Sequence, residues 1–296
     1  MIQLPQTNRL TIEPPSPGMY LDVPADVYHS WRAVSQSLLT VVHTETLAHA
    51  REYMNGDGES TQAQSFGSAY HAMVMESETF DQRFRVWSGK PRNTKEGKAD
   101  YEAALATVKG DASRLVRAED LVDMRLMHAA LRKQTRTRNM ICIPGAVEAC
   151  IVWKDEETGL ACKARLDKLL PSPHDIILDL KSARSAHPEK FAKSAADFGY
   201  DIQAGFYVDG VRIVTGRDCA FVFIPQEKER PFLSSLITAS DGCDPSAVDI
   251  GRRKYRTALN ALASALESDN WPGYGDQPFG LQIPAWAIPA PDMSEV

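Results

Sequence analysis

Apolar positions follow one rhythm up to about residue 140 and another beyond it. Over residues 35–54 they fall at Leu38, Leu39, Val42, Leu47 and Ala50, the spacing of an amphipathic helix, with Ser35 or Ser37 placed as its N-cap. Residues 66–75 (FGSAYHAMVM) are apolar nearly all round, which predicts a second, buried helix. A basic loop follows at 83–97 (RFRVWSGKPRNTKEG), then two polar-faced helices at about 97–109 and 117–135. This helical part runs from about 35 to 138.

From about 141 the period shortens. IPGAVEACIVWKD alternates, turns at 156–159 (EETG), resumes in GLACKARLDKLLP and ends in the short apolar run HDIILDLKSA. That is strand, turn, strand, turn, strand: a meander over about 141–182. Residues 188–199 and 200–214 are helical in pattern and break at Gly199. CAFVFIPQ and PFLSSLITAS follow as strands, and 244–267 as a long helix before a tail rich in Pro and Trp (WPGYG, then LQIPAWA). The order predicts an α/β (α+β) domain with a mixed central β-sheet flanked by helices. Residues 1–27, polar and proline-bearing, are expected as an extended N-terminal arm, 28–290 as one domain, and 291–296 as a tail.

The chain has 296 residues and a formal net charge of −6. A small nucleic-acid-binding module is usually basic, so the balance argues mildly against that class, although an enzyme needs positive charge only where its substrate runs. No apolar run approaches the ~20 residues that span a bilayer, and the N-terminus lacks a signal-peptide layout. The five cysteines, Cys142, Cys150, Cys162, Cys219 and Cys243, form no C-x-x-C pair. They are expected as small core residues in a reducing cytoplasm rather than as zinc or iron–sulfur ligands.

The chemistry concentrates in the meander. RLD puts Asp167 near the end of one strand, and LDLK puts Asp179 and Lys181 two residues apart on the next. Residues i and i+2 project from one face of a strand, about 6–7 Å apart. If the strands pair, two carboxylates and an ammonium meet among Ile176, Ile177, Leu178 and Leu180. Burying them costs several kcal/mol per ion unless they pair or bind a metal. Hard divalent cations take carboxylate and water oxygens, so Asp167 and Asp179 could hold magnesium against a phosphate, with Lys181 positioning the attacking water. The bland alternative is a surface Asp–Lys pair.

R-L-D followed by L-D-L-K-S resembles the PD-(D/E)XK nuclease core, and the chain is most similar to the exonuclease VIII (RecE-type) and RecB-like phage branch. Three further motifs carry the resemblance: G-x-x-x-H at Gly67–His71, a glutamate on the first meander strand at Glu148, and Q-x-x-x-Y at Gln203–Tyr207. It implies a restriction-endonuclease-like fold and a Mg2+-dependent exonuclease (Mn2+ as substitute) on linear double-stranded DNA, running 5′ to 3′ from ends in phage-type recombination and repair. It also implies His71 and Glu148 beside the metal with Asp167 and Asp179, and Gln203 and Tyr207 facing the site. A homo-oligomeric ring, a single-strand annealing partner and a place in the host cytoplasm follow by the same resemblance.

DNA contact requires cations. Candidates are Arg83, Arg85, Lys90, Arg92 and Lys95 in the basic loop, Arg132, Lys133, Arg136 and Arg138 before the meander, Arg51 for a terminal phosphate, Arg165 on the face of Asp167, and Ser182 after the lysine. Trp87 is a candidate wedge at a duplex end. A single-strand or structure-specific endonuclease of the same superfamily, and a non-catalytic DNA-binding subunit, remain as alternatives.

Overall fold

The computed structural model describes residues 2–56, 62–242 and 244–283; Cys243, the end of the expected domain (284–290) and the expected tail (291–296) lie outside them. The arm is extended, but it is anchored: Leu4 and Leu10 are buried in the main core, and the Arg32 guanidinium donates to the Leu4 carbonyl at 3.0 and 2.6 Å. A short strand β1 (Gly18–Tyr20) and a helix α1 (Ala25–Ser30) follow, neither expected from the pattern. The expected 35–54 helix is two, α2 (Gln36–Thr44) and α3 (Leu47–Asn55), because Thr46 starts a new helix by accepting from the His49 amide, as Ser35 does from that of Leu38.

α4 (Gln62–Met75) carries the buried apolar run. The basic segment is structured rather than a loop: α5 (Phe80–Arg83), β2 (Arg85–Trp87) and the start of α6 (Lys95–Thr107). β2 pairs in parallel with β3 (Leu115–Arg117), just ahead of α7 (Ala118–Lys133) and α8 (Thr135–Cys142). The meander is β4 (Ala146–Lys154), β5 (Ala161–Leu170) and β6 (Ile176–Ala183). Then come α9 (Pro188–Phe198), α10 (Tyr200–Thr215), β7 (Ala220–Glu227), β8 (Ile237–Thr238) and α11 (Ala247–Ser268). Of the expected strand at 231–240, only Ile237 and Thr238 form a strand, with Ser234 as an isolated bridge to Gln226.

The central sheet is mixed, in the order β1-β4-β5-β6-β7-β8, with β6 and β7 parallel and the other pairs antiparallel. One face packs on α2, α3, α10 and α11 through residues such as Leu39, Ile151, Leu166, Phe206 and Leu259; the other packs on α4 and α7 through Tyr70, Met124, Met127, Leu178 and Ile224. Alternation places Ile177 and Asp179 toward the first face and Leu178 and Leu180 toward the second. α10 is buried from Asp201 to Val211 and crosses α11 closely at two glycines. A Cβ on Gly251 would lie 1.7 Å from the Asp201 carbonyl oxygen, and one on Gly205 2.6 Å from the Arg252 nitrogen. Cys150, Cys162 and Cys219 are buried as expected, whereas Cys142, on the last turn of α8, is exposed.

Candidate active site

β5 and β6 pair only over Lys168↔Leu178, Leu169↔Ile177 and Leu170↔Ile176, then diverge. Asp167 and Asp179 occupy the next opposed positions, at the mouth of this fork. Leu166 and Leu169, an odd step apart, both belong to the first face, so the alternation of β5 slips by one at Asp167. The Asp167 side chain fills the gap: its Oδ2 accepts from the Leu180 amide at 2.8 Å, replacing the carbonyl that the diverging strand withdraws. Two helices reach the fork from opposite faces of the sheet. From α4, His71 Nδ1 lies 3.2 Å from Asp167 Oδ2. From α10, Gln203 Nε2 donates to Asp179 Oδ2 at 2.6 Å.

Lys181 Nζ lies 2.6 Å from Asp179 Oδ1 and sits over the Tyr200 ring, 4.9 Å from its centroid. Tyr200 is a site residue the sequence reading missed; it lies one turn before Gln203 on the same helix, which is the signal that would have found it. Glu148, opposite Asp167 on β4, forms an ion pair with Arg165, so Arg165 meets a neighbouring carboxylate. Glu148 has φ 51° in the middle of a strand, a left-handed conformation that costs a non-glycine residue on the order of 1–3 kcal/mol. Such strain is held only where the surroundings over-determine it, and here it turns the carboxylate into the fork. Tyr207 is buried against Phe221, centroids 6.3 Å apart, on the sheet side of α10.

The charges push one another's equilibria apart. Burial opposes charge on His71, but Asp167 outweighs it and lifts the imidazole to about 9. Asp167 is likewise penalised by burial, yet His71, Lys181 and the Leu180 amide hold it below the ordinary carboxylate range. Asp179 is pushed up to about 6 by burial and by the Asp167 charge, against the pull of Lys181. Burial also raises Glu148, with Arg165 opposing. Burial works against the Lys181 ammonium, but Asp179 and Asp167 raise it above the ordinary lysine value.

Asp167 and Asp179 provide hard oxygen donors in one place. Among the described residues, no group of three or more His, Cys, Asp or Glu closes into a metal cage. Two carboxylates completed by water and phosphate oxygens are the donor set that suits magnesium or manganese, and not an all-protein zinc or calcium site.

The expected DNA contacts gather less well. Arg83 pairs with Glu76, Lys90 with Glu96, Arg85 bonds the Asp81 and Phe84 carbonyls, and Arg92 lies over Tyr101. Arg51 pairs with Asp269 at 3.5 Å and lies over Trp271. Trp87 packs edge-on against Tyr101, centroids 5.2 Å apart. Ser182 is half-buried under α4, its Oγ 3.8 Å from where a Cβ on Gly67 would project.

The sequence over residues 35–278 matches the family model described as a PDDEXK-like domain of unknown function (DUF3799). The chain belongs to this PDDEXK-like family. A crystal structure from Eubacterium rectale, described as a "putative exonuclease", superposes on it with a TM-score of 0.59 at 16% identity, covering 90% of this chain and 97% of that one. The likeness bears on the fold, and the mixed sheet with flanking helices is that of this nuclease-like class. No curated protein matches the sequence. Among the described residues, no helix is long and apolar enough to cross a membrane.

Proposed function

We propose that this PDDEXK-like protein is a magnesium-dependent deoxyribonuclease that digests linear double-stranded DNA from its ends. The observation that carries the reading is the convergence of Asp167, Asp179 and Lys181 at the β5–β6 fork, held from one side by His71 and from the other by Gln203. A surface Asp–Lys pair has no such shell, nor a reason to crowd two carboxylates where burial penalises both.

Asp167 and Asp179 would hold the divalent cation, which supplies charge neutralisation at the phosphate and acidifies water. The chain's own residues do the rest. Gln203 ties down one oxygen of Asp179 and so fixes the direction of the other. His71 and the Leu180 amide do the same for Asp167. The Lys181 ammonium, held between Asp179 and the Tyr200 ring, is suited to orient a water and to offset negative charge as it grows on the phosphate in the transition state. Glu148 stands beside Asp167, with Arg165 balancing it.

Action from ends, 5′ to 3′ polarity, ring assembly, an annealing partner and a role in phage-type recombination rest on the resemblance to the RecE-type branch. The deciding assay digests a linear duplex labelled at either end, beside a covalently closed circle, with magnesium and with EDTA. Magnesium-dependent loss of the linear duplex alone is expected, the first label released giving the polarity. Cutting of the circle would make the protein an endonuclease, and inertness of folded, magnesium-supplied protein on all DNA would leave it a binding subunit.

A further inference from the structure

We propose that Phe198 and Tyr200 form a stacking platform for a nucleobase of the strand being cut, next to the nucleotide whose phosphate lies at Lys181. The inference rests on the nuclease reading and names what that site grips besides phosphate.

A row of rings runs from the core to solvent at this corner. Phe223, buried on β7, lies against Tyr200 at 5.7 Å between centroids and 33° between planes; Tyr200 lies against Phe198 at 5.8 Å and 34°. The middle ring also carries the Lys181 ammonium, 4.9 Å from its centroid, so the row passes directly beside the fork. The outermost ring is 61% exposed.

A lone exposed apolar side chain is ordinary on a protein surface. Phe198 differs in lying against the Tyr200 ring beside the fork. Gly199, between the two outer aromatics, takes a left-handed conformation at φ 67°, and a Cβ there would come within 2.8 Å of Thr40 Oγ1. Only glycine turns this corner at no cost, and the turn sets Phe198 and Tyr200 against each other. Platforms that bind without reordering lose little entropy on binding.

The surroundings favour a base over the sugar–phosphate backbone as the occupant. α9 exposes Glu189, Lys190, Lys193 and Asp197, two charges of each sign, so it does not gather phosphate by charge. What it offers at its end is a flat apolar face, and every base has a complementary one. A duplex end whose terminal bases are unpaired would place one there while the scissile phosphate reaches the fork.

The test uses the full chain carrying Asp179→Ala, so that DNA is bound and not cut. The probe is a duplex with a short single-stranded overhang, bearing the fluorescent base 2-aminopurine at one overhang position at a time. Binding is followed by anisotropy and stacking by loss of 2-aminopurine emission. Quenching at one position is expected, abolished by adding Phe198→Ala or Phe198→Leu and restored by Phe198→Trp, with binding weakened on the order of tenfold in the first two. Leucine keeps apolar bulk without a flat π-face, so quenching retained with leucine would overturn the proposal. So would unchanged quenching with alanine, in which case DNA binding itself still stands. A change in sedimentation of the DNA-free protein on Phe198→Ala would assign the ring to contact with a second copy and also overturn it. Failure of both the Asp179→Ala parent and the wild type in EDTA to bind any DNA would instead remove the nuclease reading on which it rests.

Discussion

α10 carries buried charge contacts on two opposite faces, and they behave differently. Toward α11, Asp209 accepts from Arg252 at 2.9 and 2.8 Å and from the Tyr255 hydroxyl at 2.6 Å, while Asp201 meets Lys254 at 2.6 Å. Burial works against charge on Asp209, yet these donors outweigh it and hold the carboxyl below its ordinary range. Toward the sheet, Gln203 meets Asp179, which faces a second carboxylate and is pushed up to about 6. Both contacts join a buried acid to donors. In the first, each carboxylate has cationic partners and no crowding anion, as an interhelical brace requires. In the second, carboxylates are brought together against their own repulsion, an arrangement that makes sense where something positively charged is to be bound.

The sharpest way to break this contrast is to neutralise one acid on each face. Asp179→Asn is expected to lower DNA cleavage by about 10^3-fold or more, by loss of charge stabilisation, while leaving the metal-free protein as stable or more so, since it removes a repelled charge. Activity near wild type in the folded variant would discard the site. Asp209→Asn is expected to do the reverse. It should cost about 1–2 kcal/mol in urea denaturation, a figure reduced because Arg252 is partly exposed, and leave the cleavage rate of the folded fraction within a few-fold.

Gln203→Leu should fall between these, lowering activity by about 10–100-fold through loose placement of Asp179, with little change in stability. A loss confined to KM would show that Gln203 touches substrate instead. pH gives a fourth test. Because the Asp179 pKa is raised, the native chain keeps a proton between about pH 4 and 6 that the unfolded chain has released. Its contribution to stability is therefore full at low pH and lost as pH rises through about 6. Magnesium should then raise Tm above pH 6 and progressively less below it, as the proton competes for the same carboxylate. A magnesium shift in Tm that is flat from pH 5 to 8 would separate metal binding from Asp179. The smallest effect is expected from Lys90→Ala. With its ammonium already paired to Glu96, a change of less than about two-fold in cleavage is predicted.

Local period made parts of this site legible. Asp179 and Lys181 share a face because strands repeat every two residues, and Gln203 and Tyr207 share one because helices repeat near every four. The fork was not legible. Its cause is the slip in alternation between Leu166 and Leu169 and the left-handed turn at Glu148, both settled by packing on two sides of the sheet. The parallel pairing of β2 with β3 joins segments far apart in sequence, so residues 83–97 read as a loop. The same blindness applies to charge. A run such as RFRVWSGKPR displays its cations in sequence, but whether Glu76 or Glu96 has already claimed them is decided only in three dimensions.

The close crossing of α10 over α11 at Gly205 and Gly251 also bears on how the protein is made. Asp167, Asp179, Lys181, Gln203 and Tyr207 all leave the ribosome before α11, the last described helix, has been synthesised. Until α11 arrives, α10 has the sheet to pack on but lacks the helix that fits its glycine and pairs with Asp201 and Asp209. The helix that carries Gln203 is then braced on its sheet side alone. A nascent chain thus carries every motif of the candidate site before the helix that braces it has been made. A chain stopped within α11 would keep all of those residues and lack that brace, so it is expected to be less stable than the full chain.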